Sequence, residues 1–217
     1  MKTALLIIDA TPDFMPKGPF AVTNGDQIID PIRKLMVEGG FDETVDVHDW
    51  HPANHQTFAA NHNQAPFTQG LVGGELVPLW PTHGVQGTEG ALMHPKLREI
   101  GATMVQEKGL RPETECLGAF NYHDGVPTGL RLALRKRKID QVVVVGLATE
   151  YCVKEAAVQA IRNGFAATVV LEGCRGVDNP AGTVAAAIKE MEAEGVTIVP
   201  TVDAFFKMRK SQMDHAL

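Results

Sequence analysis

The sequence predicts an α/β fold: a single domain over residues 1–217, built on a mainly parallel six-stranded sheet with helices on both faces. Two observations carry that reading. Short aliphatic and β-branched runs alternate with longer amphipathic segments, the rhythm of strand–helix units. Several of the short runs are continuously apolar, as expected of strands covered on both sides.

The first strand, residues 3–9 (TALLIID), is apolar until it stops at Asp9. A helix over 26–39 opens on Asp26 and closes on Gly39. Strands follow at 44–48 (TVDVH) and 103–107 (TMVQE). A helix over 127–138 begins with Pro127 and ends in a Lys/Arg cluster, which suits the negative end of the helix dipole. The strand 141–146 (QVVVVG) leads into a helix over 150–163, where Val153, Ala156, Ala157, Ala160 and Ile161 share one face and Gly164 closes the end. A strand at 167–171, a helix over 180–194 and a strand at 197–200 complete the pattern. Residues 201–217, with Phe205 and Phe206, either close the last helix or join a subunit contact.

Residues 52–93 break this rhythm. They are rich in Pro, Gly, Asn, His and Gln with no clear period, and loops this long inside compact domains are usually functional or disordered. Trp50 and Trp80 stand in or beside this stretch, as do His51, His55, His62, His83 and His94. It reads as a metal-binding loop insertion at about 49–94.

Composition narrows the function. A net charge of −6 leaves no broad basic footprint for nucleic acid, and the run from Arg131 to Lys138 is short. No apolar stretch approaches the ~20 residues needed to span a bilayer. Three cysteines, Cys116, Cys152 and Cys174, are too few for a secreted disulfide scaffold. A cytoplasmic protein acting on a small molecule, with neither nucleic acid nor membrane as partner, is the expectation.

In open α/β sheets ligands bind beyond the carboxyl ends of the strands. Asp9, the segment 48–51 (HDWH), Lys108 and the turn leading to Cys152 all fall there. Cysteine in the first turn of a helix is placed for thiolate chemistry, with a carboxylate to take the proton. Taken alone, Cys152 reads equally well as a small buried apolar residue. Asp49 and His51, two apart on an extended segment, face the same way. With His83 they make a carboxylate–His₂ set that leaves positions open on a divalent metal, and His55 is a further candidate. Taken alone, this pair reads as a capping acid and a surface histidine. His62 and His94 read as polar loop residues.

Together the stretches 4–14 (ALLIIDATPDF), 49–62 (DWHPANHQTFAANH), 79–94 (LWPTHGVQGTEGALMH), 107–109 (EKG) and 146–160 (GLATEYCVKEAAVQA) resemble the nicotinamidase/pyrazinamidase family of isochorismatase-like cysteine hydrolases, in the family's order. The resemblance implies a Rossmann-like three-layer sandwich and an amidohydrolase that converts nicotinamide, and pyrazinamide, to the acid and ammonia through an acyl-thioester. By that resemblance Cys152 is the nucleophile and Asp9 the proton-transferring base. Lys108 holds both and favours their charged forms. The backbone N–H groups of Ala148 and Cys152 form the oxyanion hole, next to a cis peptide before Ala148. Asp49, His51 and His83 hold one divalent metal, zinc first and iron or manganese as alternatives, which positions the pyridine ring between Phe14 and Trp80. A role in NAD salvage and a homo-oligomeric state are implied in the same way.

The chain departs from the family pattern at Gly84, where cysteine is common, at Leu117, which replaces a pocket tyrosine, and at Thr11-Pro12 before Asp13. A second reading keeps fold and triad but takes another small amide or carbamoyl substrate. A third is a non-catalytic metal-binding or redox-sensing module with Cys152 as its thiol.

Overall fold

The structure, a computed structural model, describes residues 1–214. All six expected strands are present in one sheet: β1 (Lys2–Ile8), β2 (Glu43–Asp49), β5 (Met104–Lys108), β6 (Ile139–Leu147), β7 (Ala166–Arg175) and β8 (Thr197–Val199). Their order is β5-β2-β1-β6-β7-β8, and every neighbouring pair is parallel. The strand order reverses between β1 and β6, so the crevice at their carboxyl ends is the place where such sheets receive ligands. Six consecutive residues of β1 are buried, which requires cover on both faces. Among the described residues, no helix is long and apolar enough to cross a membrane.

The helices start later than the sequence suggests. α1 (Ile29–Glu38) is preceded by a 3₁₀ turn at Gly25–Ile28. After α1 come the short α2 (Pro95–Arg98) and α3 (Leu130–Lys136). α3 waits for Gly129, in the left-handed region at φ 101°, because the N–H of Thr128 is bonded back to the Phe120 carbonyl. The helix expected over 150–163 splits into a π-helical turn at Thr149–Val153 and α4 (Lys154–Arg162). α5 (Thr183–Ala193) begins after Asp178 Oδ1 has taken the N–H groups of Gly182 and Val184. In α6 (Val202–Asp214), Phe205 is docked against Phe41, with ring centroids 5.9 Å apart, and Lys34 lies over the half-buried Phe206 ring. The last three residues of the 201–217 stretch lie outside the described residues.

The aperiodic stretch holds a hairpin the sequence reading did not predict, β3 (Gln69–Val72) and β4 (Glu75–Pro78). Its turn is Gly73-Gly74, both at positive φ, the pairing that two-residue hairpins favour. The signal was present but short: each strand has only four residues.

Gly146 fixes the centre of the sheet. It pairs with Ile8, lies at φ 126°, and a Cβ there would run into the Ile8 carbonyl oxygen. Gly146→Ala is expected to lower the melting temperature by roughly 5–10 °C. An unchanged melt would show that β1 and β6 can part without cost.

Candidate active site

The strand ends deliver their side chains to one buried cluster. Asp9 follows β1 in the left-handed region at φ 49°, a conformation Asp tolerates better than most residues. Its N–H donates to the Val47 carbonyl (2.8 Å), and its Oδ1 accepts the N–H of Asp49 (3.1 Å). Asp49 ends β2 and is in register with Lys108, which ends β5. Cys152 sits in the π-helical turn beyond β6, after a cis peptide between Leu147 and Ala148. The carbonyl of Ala148 accepts the N–H groups of Tyr151 and Val153 on either side of it. Such turns recur at functional sites because they push one residue out of the helical ladder.

The ammonium of Lys108, fully buried, joins these groups. It lies 3.0 Å from Asp9 Oδ2, pairs closely with Asp49 Oδ1 and donates to Cys152 Sγ at 3.7 Å. Both the Lys108 ammonium and the Asp9 carboxylate act electrostatically on the Cys152 thiol. Burial pushes Asp9 up to about 6, helped by the Asp49 charge and opposed by Lys108. Burial also holds the Cys152 thiol well above its usual range, with Lys108 pulling the other way. Lys108 therefore favours the charged forms of both, yet desolvation outweighs it. Asp49 differs: burial would raise it, but Lys108 and then His51 hold it well below the usual carboxylate range. Lys108 in turn resists the lowering effect of burial through Asp49 and Asp9 and stays well above the usual ammonium range.

Beside this cluster Asp49, His51 and His83 bring three ligand atoms within 4.8 Å of one another. Each imidazole is oriented by a main-chain carbonyl. His51 Nδ1 donates to Gly109 (2.9 Å) and His83 Nδ1 to Pro81 (2.6 Å). Both Nε2 atoms then face the carboxylate, at 3.3 Å from Oδ1 and 3.4 Å from Oδ2. Three such donors repel one another unless positive charge lies among them, so these residues fit a divalent cation. His55 stays outside the group. Its Nδ1 is 2.7 Å from Thr57 Oγ1, and its Nε2 is buried without a hydrogen-bond partner. Burial first, and then the neighbouring His51, push its pKa down to about 3 and leave it neutral. His62 bonds the Gln56 carbonyl, and His94 begins α2 with its N–H on Ala10.

One cavity of about 440 Å³, mouth included, touches both clusters. Its walls include Asp49, His51, His83, Ala148 and Cys152, and also the predicted Phe14, Trp80 and Leu117. Sequence reasoning missed Phe20, Val22, Glu115, Tyr151 and Val177 in these walls. Phe20 stacks on Trp80 with centroids 5.5 Å apart, and Glu115 Oε2 accepts the Trp80 indole N–H at 2.8 Å. Glu115 could have been suspected from its place two residues before Leu117; Val177 carried no signal. The departures are accommodated locally. Gly84 lies at φ 56° with no space for a Cβ beside Asp49, and Asp13, after Pro12, accepts its N–H at 2.8 Å.

Fold and rim together define a class. Residues 3–203 match the isochorismatase domain, and the chain belongs to the isochorismatase family. Within it, the chain is 37% identical over 204 residues to the nicotinamidase of Escherichia coli (strain K12), covering 92% of this chain and 95% of that one. The solved structure of Acinetobacter baumanii nicotinamidase/pyrazinamidase superposes with a TM-score of 0.87 at 37% identity, covering 93% of this chain and 97% of that one. The zinc complex of Pyrococcus horikoshii pyrazinamidase gives 0.71 at 28% identity, covering 92% and 99%. The chain is a hydrolase of this family.

Gly109, at φ 69°, has its Cα against the His51 ring, and a Cβ there would strike the imidazole. Gly109→Ala is expected to weaken divalent-metal binding by about 10–100-fold. Metal titration of the folded variant checks this, and wild-type affinity would show that His51 is not held by this contact.

Proposed function

We propose that this chain hydrolyses nicotinamide, and the related pyrazinamide, to the acid and ammonia. The observation that carries the reading is one cavity lined both by Cys152, whose thiol meets Lys108 and through it Asp9, and by Asp49, His51 and His83. A hydrolase that needed only the thiol would have no use for the second. The similarity to proteins named nicotinamidase supports the substrate.

The chemistry begins in the cluster where Lys108 lies between Asp9 and Cys152. Asp9 takes the thiol proton as the sulfur attacks the carboxamide carbon, forming the C–S bond. A carboxylate near pKa 6 suits this exchange, because it accepts and returns a proton near neutral pH. Lys108 stabilises the negative charge as it moves from Asp9 to sulfur. The N–H groups of Ala148 and Cys152 receive the charge developing on the carbonyl oxygen. Asp9 then protonates the amide nitrogen, the C–N bond breaks and ammonia leaves a thioester on Cys152. Water attacks that thioester with Asp9 again as base, releasing the acid and restoring the thiol.

Asp49, His51 and His83 would hold one divalent cation, zinc by donor type, with iron or manganese also compatible. Bound there, the cation supplies an electrophilic position for the ring nitrogen. Phe14 and Trp80 line the space for the ring, and Leu117 contributes an apolar wall where a hydroxyl would discriminate between rings.

Cys152→Ala is expected to lower ammonia release from nicotinamide by about 10⁴-fold or more without loss of bound metal. Asp9→Asn should cost roughly 10²–10⁴-fold and slow alkylation of Cys152 in parallel. Chelation should abolish release from wild-type protein, and metal add-back should restore it. Release indifferent to chelation, or retained in Cys152→Ala, would overturn the reading.

A further inference from the structure

Glu150 is a buried acid that the chemistry above does not use, although it lies two residues from the nucleophile. Its Oε1 accepts two main-chain N–H groups, from Val177 (2.9 Å) and Asp178 (2.7 Å). Gly176 packs so closely on its Oε2 that a Cβ there would collide with it. The 176–180 segment has no regular structure, and its contacts to Glu150 fasten it to the turn that carries Cys152. Its other end is tied by Asp178, whose Oδ1 accepts N–H groups at the start of α5.

Val177, held this way, stands in two walls at once. On one side it lines the cavity with Asp49, His51 and Cys152. On the other it lines an outer depression with Phe67, Asn179 and Pro180, completing with Phe20, Trp80 and Tyr151 the wall that both spaces share. We propose that Glu150 is a positioning residue that fixes the 176–180 segment as the partition between these spaces, so that Val177 limits the inner cavity to a single small ring. A carboxylate holding two N–H groups makes charge-assisted bonds, the strong kind. No other side chain is recorded on those two N–H groups among the described residues. This inference deepens the proposed amide hydrolysis and rests on it for the identity of the ring.

The test compares Glu150→Ala, Glu150→Gln and Val177→Ala by two readouts. One is the rate of Cys152 alkylation, followed on its peptide, by N-phenylmaleimide relative to iodoacetamide. The other is the split between KM and kcat for nicotinamide. Glu150→Ala is expected to raise the bulky-to-small alkylation ratio and the KM by about 10-fold, with iodoacetamide rate and kcat within about 2-fold of wild type. Glu150→Gln retains an acceptor oxygen and should keep both near wild type. Val177→Ala, which leaves the anchor intact, should raise the ratio as well. An unchanged ratio in Glu150→Ala or in Val177→Ala overturns the proposal. So does a parallel fall of iodoacetamide rate and kcat, which would place the effect on the thiol turn instead. Wild-type protein that releases no ammonia from nicotinamide sinks the substrate assignment, and the alkylation ratio still decides the role of Glu150.

Discussion

A single buried ammonium organises the site. Lys108 is fully buried, and desolvating such an ion costs several kcal/mol. That cost is tolerable only with compensating charge, which Asp9 and Asp49 supply from two neighbouring strands. Removing either carboxylate leaves a buried charge short of a partner, typically worth about 3–5 kcal/mol. The three strands β1, β2 and β5 are therefore tied at their ends by electrostatics as well as by their ladders. Because Asp49 also faces two imidazoles, the same ammonium connects the thiol cluster to the metal-ligand set. The two halves of the site are one charge network.

That network explains an opposition in the two acids. Asp9 and Asp49 are both buried and share the same lysine, yet one titrates upward and the other downward. Asp49 gains from imidazoles as well as from Lys108, whereas Asp9 faces a neutral thiol and the charge of Asp49. Neighbouring carboxylates pushed apart in this way take different jobs: one exchanges protons and the other stays charged to bind.

Much of this was legible from residue order. Continuous apolar runs such as those of β1 and β6 located the strands, and the parallel topology then placed Asp9, Asp49, Lys108 and the Cys152 turn on one rim. The late helix starts were not legible, because they depend on contacts far along the chain. Asp178 delays α5 through its side chain, and Thr128 is held back by Phe120. The π-helical turn was hidden too, since the periodicity of 150–163 is the same whether or not one residue is pushed out. Phe20, Tyr151 and Val177 reach the cavity from segments whose local sequence says nothing about depth. Family resemblance supplied roles that spacing left open, most clearly for His83, which is far from Asp49 in sequence.

Both ligand imidazoles are oriented by peptide carbonyls, those of Gly109 and Pro81, rather than by side chains. A carbonyl is present whichever amino acid a codon specifies. The aim of the two rings is thus written into the path of the chain, and no single base change can delete the acceptor. Side-chain drift in the loop, anywhere but at the crowded Gly109, can reshape the pocket for other rings while the donors keep their direction. Substrate range and ligand geometry can consequently evolve on separate clocks.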